Sequence, residues 1–132
     1  GLLGVAVGMA MRGERPVIYG DGGQTRDFTY VTNVVDGVLR AAEAPNASGQ
    51  VINVATGGRI SLNQLFETVR LLTGAQGSPR YAPPRAGDVR DSQADISKAR
   101  ELLGYSPIVS FDQGLAQTIR WCTESPVTAA AS

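Results

Sequence analysis

Apolar positions fall into two periods along this chain, four-residue repeats and short runs cut by glycine or proline. Leu3, Val7 and Met11 repeat at helical spacing and Gly13 ends the run, which predicts a helix over 2–12. Pro16-Val17-Ile18-Tyr19 reads as a strand, with proline at the first position where no ladder donor is demanded. Asp21-Gly22-Gly23 supplies a tight turn, and beyond it Phe28 and Tyr30 alternate with Asp27, Thr29 and Val31. That pattern predicts a return strand, and with it a β-hairpin. Val34, Val35, Val38, Leu39 and Ala42 form one wide stripe on a helix over 32–43, with Thr32 as N-cap and Gly37 at a close approach. Gln50 to Ala55 reads as a short strand buried on both faces.

The second half is punctuated more clearly. Ser61-Leu62-Asn63-Gln64 is a capping box, and Leu62, Leu65, Phe66, Val69 and Leu72 give the inward face of a helix over 62–73 that Gly74 stops. Arg80-Tyr81-Ala82 is a strand, after which Pro83-Pro84 holds the backbone extended. Asp95 caps a helix reaching Leu103, with Ile96, Ala99, Leu102 and Leu103 apolar and Gly104 as stop. Ser110 to Gln113 is a second capping box, opening a helix with Phe111, Leu115, Ile119 and Cys122 inward and Trp121 off the stripe. The expectation is a small α/β fold: four or five helices around short strands and a hairpin, with residues 1–124 as one domain and 125–132 as a disordered tail.

Composition narrows the partners. The 132 residues suffice for one ordinary domain, and twelve basic residues cancel twelve acidic ones with no block of like charge. That argues against a nucleic-acid or anionic-membrane surface. The single cysteine, Cys122, has no internal partner, so a reducing, cytoplasmic setting is expected. One cysteine and no histidine cannot build a zinc cage, and no apolar run reaches the roughly 20 residues of a membrane span. The opening apolar stretch lacks a basic leader, and a start without Met in mid-helix pattern suggests a fragment or a processed form.

Two places carry candidate chemistry. Arg26 stands beside the glycine turn, where a guanidinium can fork onto a phosphate or pair with Asp21 or Asp27 on the surface. Arg85 and Asp88 sit three apart in the stiffened loop after the double proline, either as a polar ligand clamp or as a solvated ion pair. There is no histidine to serve as a general base at neutral pH. Gly20-x-Gly22 lacks the third glycine and the following helix of a dinucleotide-binding turn.

Tyr19-Gly20-Asp21-Gly22-Gly23-Gln24-Thr25-Arg26-Asp27-Phe28-Thr29-Tyr30-Val31, then Gly49 to Gly57, Pro84 to Val89, Ala94 to Ala99, Leu103-Gly104-Tyr105 and Phe111 to Leu115 resemble, in order, the later part of the extended short-chain dehydrogenase/reductases. These are the NAD-dependent nucleotide-sugar epimerases and dehydratases, and the likeness is greatest to the UDP-glucose 4-epimerase type. The resemblance implies a C-terminal substrate-binding part whose Rossmann half, with NAD, lies elsewhere in the complete enzyme. It also implies a catalytic Tyr with a Lys four residues on, which this chain lacks: four residues after Tyr19, Tyr30, Tyr81 and Tyr105 stand Gly23, Val34, Arg85 and Val109, and the only lysine is Lys98. It implies that Arg26 and Arg85 contact the nucleotide diphosphate, that Asp88 accepts from the ribose, that Val17, Ile18 and Tyr19 lie along the uracil, and that Leu2 is a further nucleotide contact. Gly4 replaces a frequent proline, and Ser92 replaces the tyrosine or histidine of UDP-galactose-type epimerases, which loosens the sugar assignment. The same part of a dTDP-glucose 4,6-dehydratase or a UDP-glucuronate decarboxylase, or an isolated non-catalytic binding module, are the alternatives. A UDP-sugar is the expected ligand, with homo-oligomer formation or association through the 32–43 stripe, left bare where the family packs its cofactor domain.

Overall fold

The computed structural model describes residues 2–125; the tail expected to be disordered lies, apart from Ser125, outside them. The chain divides into two compact units, one made of residues up to Gln24, Ser61–Arg90 and the chain from Leu115, the other of Thr25–Ile60 and Asp91–Gly114. The mixed α/β class is as expected, with five helices among the described residues. None is long and apolar enough to cross a membrane.

In the first unit α1 (Leu2–Met11) buries Ala6 and Val7 and packs against α3 (Leu62–Thr73). The capping box of α3 is complete: the Gln64 amide donates to Ser61 Oγ at 3.1 Å and the Ser61 amide to Gln64 Oε1 at 2.9 Å. Gly74 ends the helix at φ 70°, a left-handed cap that any Cβ would strain. Leu62, Leu65, Phe66 and Val69 are buried, while Leu72, expected among them, is 45% exposed. The buried face is centred on the Leu65–Val69 line, and Leu72 stands at its rim.

The expected hairpin does not form. β1 (Val17–Tyr19) pairs in parallel with β4 (Arg80–Ala82), Val17 opposite Arg80, Ile18 opposite Tyr81 and Tyr19 opposite Ala82. β2 (Thr25–Arg26) pairs with β3 (Ile60–Ser61). The reason lies in where the backbone groups go. β4 takes those of β1, extended by Gly20 N–H to Ala82 O and Arg80 N–H to Pro16 O, both 2.8 Å. The turn itself is stitched to the start of α3: the Asn63 amide donates to Gly22 O at 3.0 Å, the Leu62 amide to Gln24 O at 3.1 Å, and Asn63 Nδ2 to Asp21 O at 3.0 Å.

In the second unit the return strand is cut short. The Asp27 carboxylate accepts from the amides of Thr56 at 3.1 Å and Gly57 at 2.8 Å and from the Thr56 hydroxyl, which ties the backbone to a loop instead of a ladder. α2 (Val31–Glu43) then starts with Tyr30 as N-cap and no side-chain cap, not with Thr32. Its buried residues are Asn33 and Gly37; the apolar stripe faces out, with Val38 and Leu39 about 60% exposed. Gly37 does mark a close approach, since a Cβ there would stand 2.5 Å from a Val54 methyl.

Gln50 to Ala55 is not a strand, and Val51 is 87% exposed. No strand pairs with it among the described residues, so only one side is covered, where Ala55 joins Ile96, Ala99, Leu103 and Tyr105 in the core of this unit. α4 (Ser97–Leu103) has Ile96 as N-cap, with Asp95 Oδ1 accepting from the Ser97 amide at 2.9 Å. Asn33, fully buried, takes the amides of Ile108 and Val109 on Oδ1 at 2.9 Å each and donates Nδ2 to Val109 O at 2.8 Å. The second capping box opens α5 (Phe111–Glu124), whose later residues Leu115 and Ile119 are buried in the first unit; Cys122 is half-buried and Trp121 exposed.

Candidate ligand-binding cavity

A cavity of about 440 Å³ opens in the first unit where β1 and β4 end together, lined by Tyr19, Gly20, Asp21, Gln24, Ala82, Pro84, Arg85, Asp88 and Arg90. Parallel pairing is what places it. Both strands run out at the same end, so the turn after β1 and the double-proline loop after β4 face each other. Arg85 lies over Tyr19, its Cζ 3.7 Å from the ring centroid, a stacking a planar guanidinium makes well. The Asp88 amide donates to Arg85 O at 3.2 Å and bends the loop so that both residues line one space.

The floor is fixed by Gln24, only 5% exposed. Its Nε2 donates to Tyr19 O at 2.7 Å, while its buried Oε1 has no partner. One amide thus holds the residue whose ring carries Arg85. At the turn, Asp21 receives both ends of the Arg90 fork, Nη1 to Oδ1 at 2.7 Å and Nη2 to Oδ2 at 3.0 Å, and the Gly23 amide at 2.8 Å. Those bonds, Arg90 first, hold the Asp21 carboxyl down at about 2. The cavity therefore carries two guanidinium groups and two carboxylates.

Of the residues singled out from sequence, Tyr19, Arg85 and Asp88 come together here. Val17 and Ile18 precede them on β1 but do not line the cavity, and Ile18 is buried in the core. Leu2, 39% exposed on α1, does not line it either. Arg26 belongs to the second unit, where its Nη1 donates to Thr25 O at 2.7 Å. Asp21, considered as a partner for Arg26, is clasped by Arg90. Sequence reasoning missed Gln24 and Arg90. A glutamine after a glycine turn reads as solvent-facing, whereas Arg90, two residues past Asp88, carried a signal as the second cation of that loop.

The family model described as GDP-mannose 4,6 dehydratase matches residues 3–118. The chain belongs to that family. Against this GDP-mannose 4,6 dehydratase family member, the UDP-glucose 4-epimerase of Mycolicibacterium smegmatis is 40% identical over 111 residues, 84% of this chain and 35% of the relative. The solved UDP-glucose 4-epimerase of Thermotoga maritima, with UDP-glucose, superposes with a TM-score of 0.87 at 40% identity, over 94% of this chain and 40% of its own. UDP-glucuronic acid 4-epimerase from Bacillus cereus, in complex with NAD, gives 0.80 at 30% identity, over 92% of this chain and 39% of its own. The chain thus spans little more than a third of the length of the relatives it matches.

The glycine turn at Gly20–Gly23 does not fit the pyrophosphate of NAD. The glycine turn of this family member leads into β2, not a helix, and the space over Gly22 is taken by Asn63, whose Oδ1 lies 2.0 Å from where a Cβ would stand. No dinucleotide pyrophosphate can be cradled there.

Proposed function

We propose that this chain is the nucleotide-sugar-binding part, residues 1–124, of an NAD-dependent epimerase/dehydratase, with a UDP-sugar as ligand and UDP-glucose 4-epimerase as the nearest activity. The observation that carries the reading is the meeting of Tyr19, Arg85 and Asp88 in one cavity at the ends of parallel strands. That is where open α/β architectures bind ligands. Arg85 supplies a charge-assisted fork for a diphosphate oxygen and Asp88 accepts from a ribose hydroxyl, each contributing about 1.5–3 kcal/mol. Tyr19 presents β1 backbone and an aromatic wall to a planar base. Arg26 is assigned to the same diphosphate, and Val17, Ile18 and Leu2 to further nucleotide contacts, on the family pattern alone. NAD is assigned to the portion of the longer relatives that this chain does not match.

A second reading is favoured by the sequence itself. With no Tyr-x-x-x-Lys pair and no histidine, the chain taken alone binds without turning substrate over. An in-frame Gly-x-x-Gly-x-x-Gly and Tyr-x-x-x-Lys encoded upstream separates the two.

Calorimetric titration with UDP, dTDP and GDP sugars tests the assignment. UDP binds, and Arg85→Ala and Arg26→Ala each weaken it tenfold or more, about 1.4 kcal/mol per decade. Unchanged affinity in both variants removes the diphosphate assignment.

A further inference from the structure

Arg90 lines the same cavity as Arg85, yet its whole fork is engaged by Asp21, another residue of that cavity. A carboxylate and a phosphate offer a guanidinium the same two-oxygen face. Asp21 therefore occupies, with its own carboxylate, the position a ligand phosphate oxygen would take on Arg90. We propose that Arg90 is a further phosphate-binding residue of this cavity, kept in place by Asp21 and handed over when a nucleoside diphosphate enters. The inference rests on the nucleotide reading above.

Three observations make the exchange feasible. Both side chains are more than half exposed, 61% for Arg90 and 65% for Asp21, and ion pairs of that exposure are weak. Released Asp21 is not stranded, because it stays in water and keeps the Gly23 amide at 2.8 Å. Gly23 leaves room for the guanidinium to lie across the turn, since a Cβ there would stand 2.9 Å from Arg90 Nη2.

The rival is a clasp that only holds the turn to the loop. Calorimetry on the 132-residue chain, with UDP and with uridine as the phosphate-free probe, decides through four proteins: wild type, Asp21→Asn, Arg90→Met and the double variant. Thermal melts check that each is folded. Asp21→Asn should tighten UDP by about two- to fivefold, the size of the competition an exposed pair can exert. Arg90→Met should weaken UDP about tenfold, and the double variant should match it, because the gain from removing Asp21 exists only through Arg90. Uridine affinity should stay constant throughout. The proposal is overturned if Arg90→Met binds UDP like wild type, if Asp21→Asn weakens UDP, or if the Asp21→Asn gain persists without Arg90, which would make it a field effect. Wild type that binds no UDP overturns the nucleotide reading and this inference together, whereas UDP binding that is lost in Arg85→Ala and indifferent to Arg90 sinks the inference alone.

Discussion

Replacing Asn33 by alanine tests whether the second unit is held by one buried amide. Asn33 is 0% exposed, and three hydrogen bonds converge on it from the segment ahead of α5. Its Oδ1 answers the amides of Ile108 and Val109, and its Nδ2 answers Val109 O. Alanine removes all three partners and leaves two donors and one acceptor in a half-buried setting. Each orphaned group costs about 1–3 kcal/mol, and partial access to water offsets some of that, so the loss should be about 3–5 kcal/mol. Against the 5–15 kcal/mol or so of a typical domain, that is a large share. Urea unfolding measures the total, and hydrogen exchange at Ile108 and Val109 localises it: both amides should lose protection in Asn33→Ala. Val38→Ala, on the exposed face of the same helix, is the control and should change stability by less than about 0.5 kcal/mol. An Asn33→Ala protein that unfolds with the wild type, its two amides still protected, would refute the reasoning.

Gly22→Ala should disturb the cavity from the outside: at φ 73°, with Asn63 Oδ1 2.0 Å from the new Cβ, it must displace Asn63 and release Asp21 O and the Tyr81 hydroxyl. UDP affinity and melting temperature should fall together. Asp21 should titrate near 2, below its ordinary 3.8. A depressed folded-state value stabilises the ionised form, so the clasp's contribution is complete above about 3.8 and is lost as pH falls through about 2. The Asp21 carboxyl carbon shift should follow this, with its midpoint moving back up in Arg90→Met. The bare α2 face, with Val31, Val34, Val35, Val38 and Leu39 all exposed, should drive self-association that Val38→Glu reduces; a monodisperse wild-type monomer in sedimentation would count against it.

What the sequence made legible was local. Ser61 with Gln64 and Ser110 with Gln113 are capping boxes at the expected positions, because capping is settled within four residues. Tyr19, Arg85 and Asp88, singled out on family likeness, line one cavity in the structure. Pairing was not legible. The turn at Gly22 looked like a hairpin from its own residues, but β4 and Asn63, distant in sequence, take the hydrogen bonds that a hairpin would need. The α2 stripe was legible as an apolar face and stands exposed, as expected of a face left bare; periodicity did not show that the buried side of that helix is Asn33 and Gly37. Gln24 was invisible because its burial depends on the Tyr19 carbonyl it reaches.

The side-by-side run of Val17–Tyr19 and Arg80–Ala82 also bears on the order of assembly. Helices α1 and α3 can form as soon as their own turns exist, whereas this pair must wait until a long intervening stretch has been brought round and its closure entropy met. The cavity is built on the ends of that pair, so it should be a late product of folding, absent from any intermediate in which only the helices have formed. Lengthening the Gly74–Pro79 connection should therefore slow acquisition of ligand affinity more than it slows acquisition of helix.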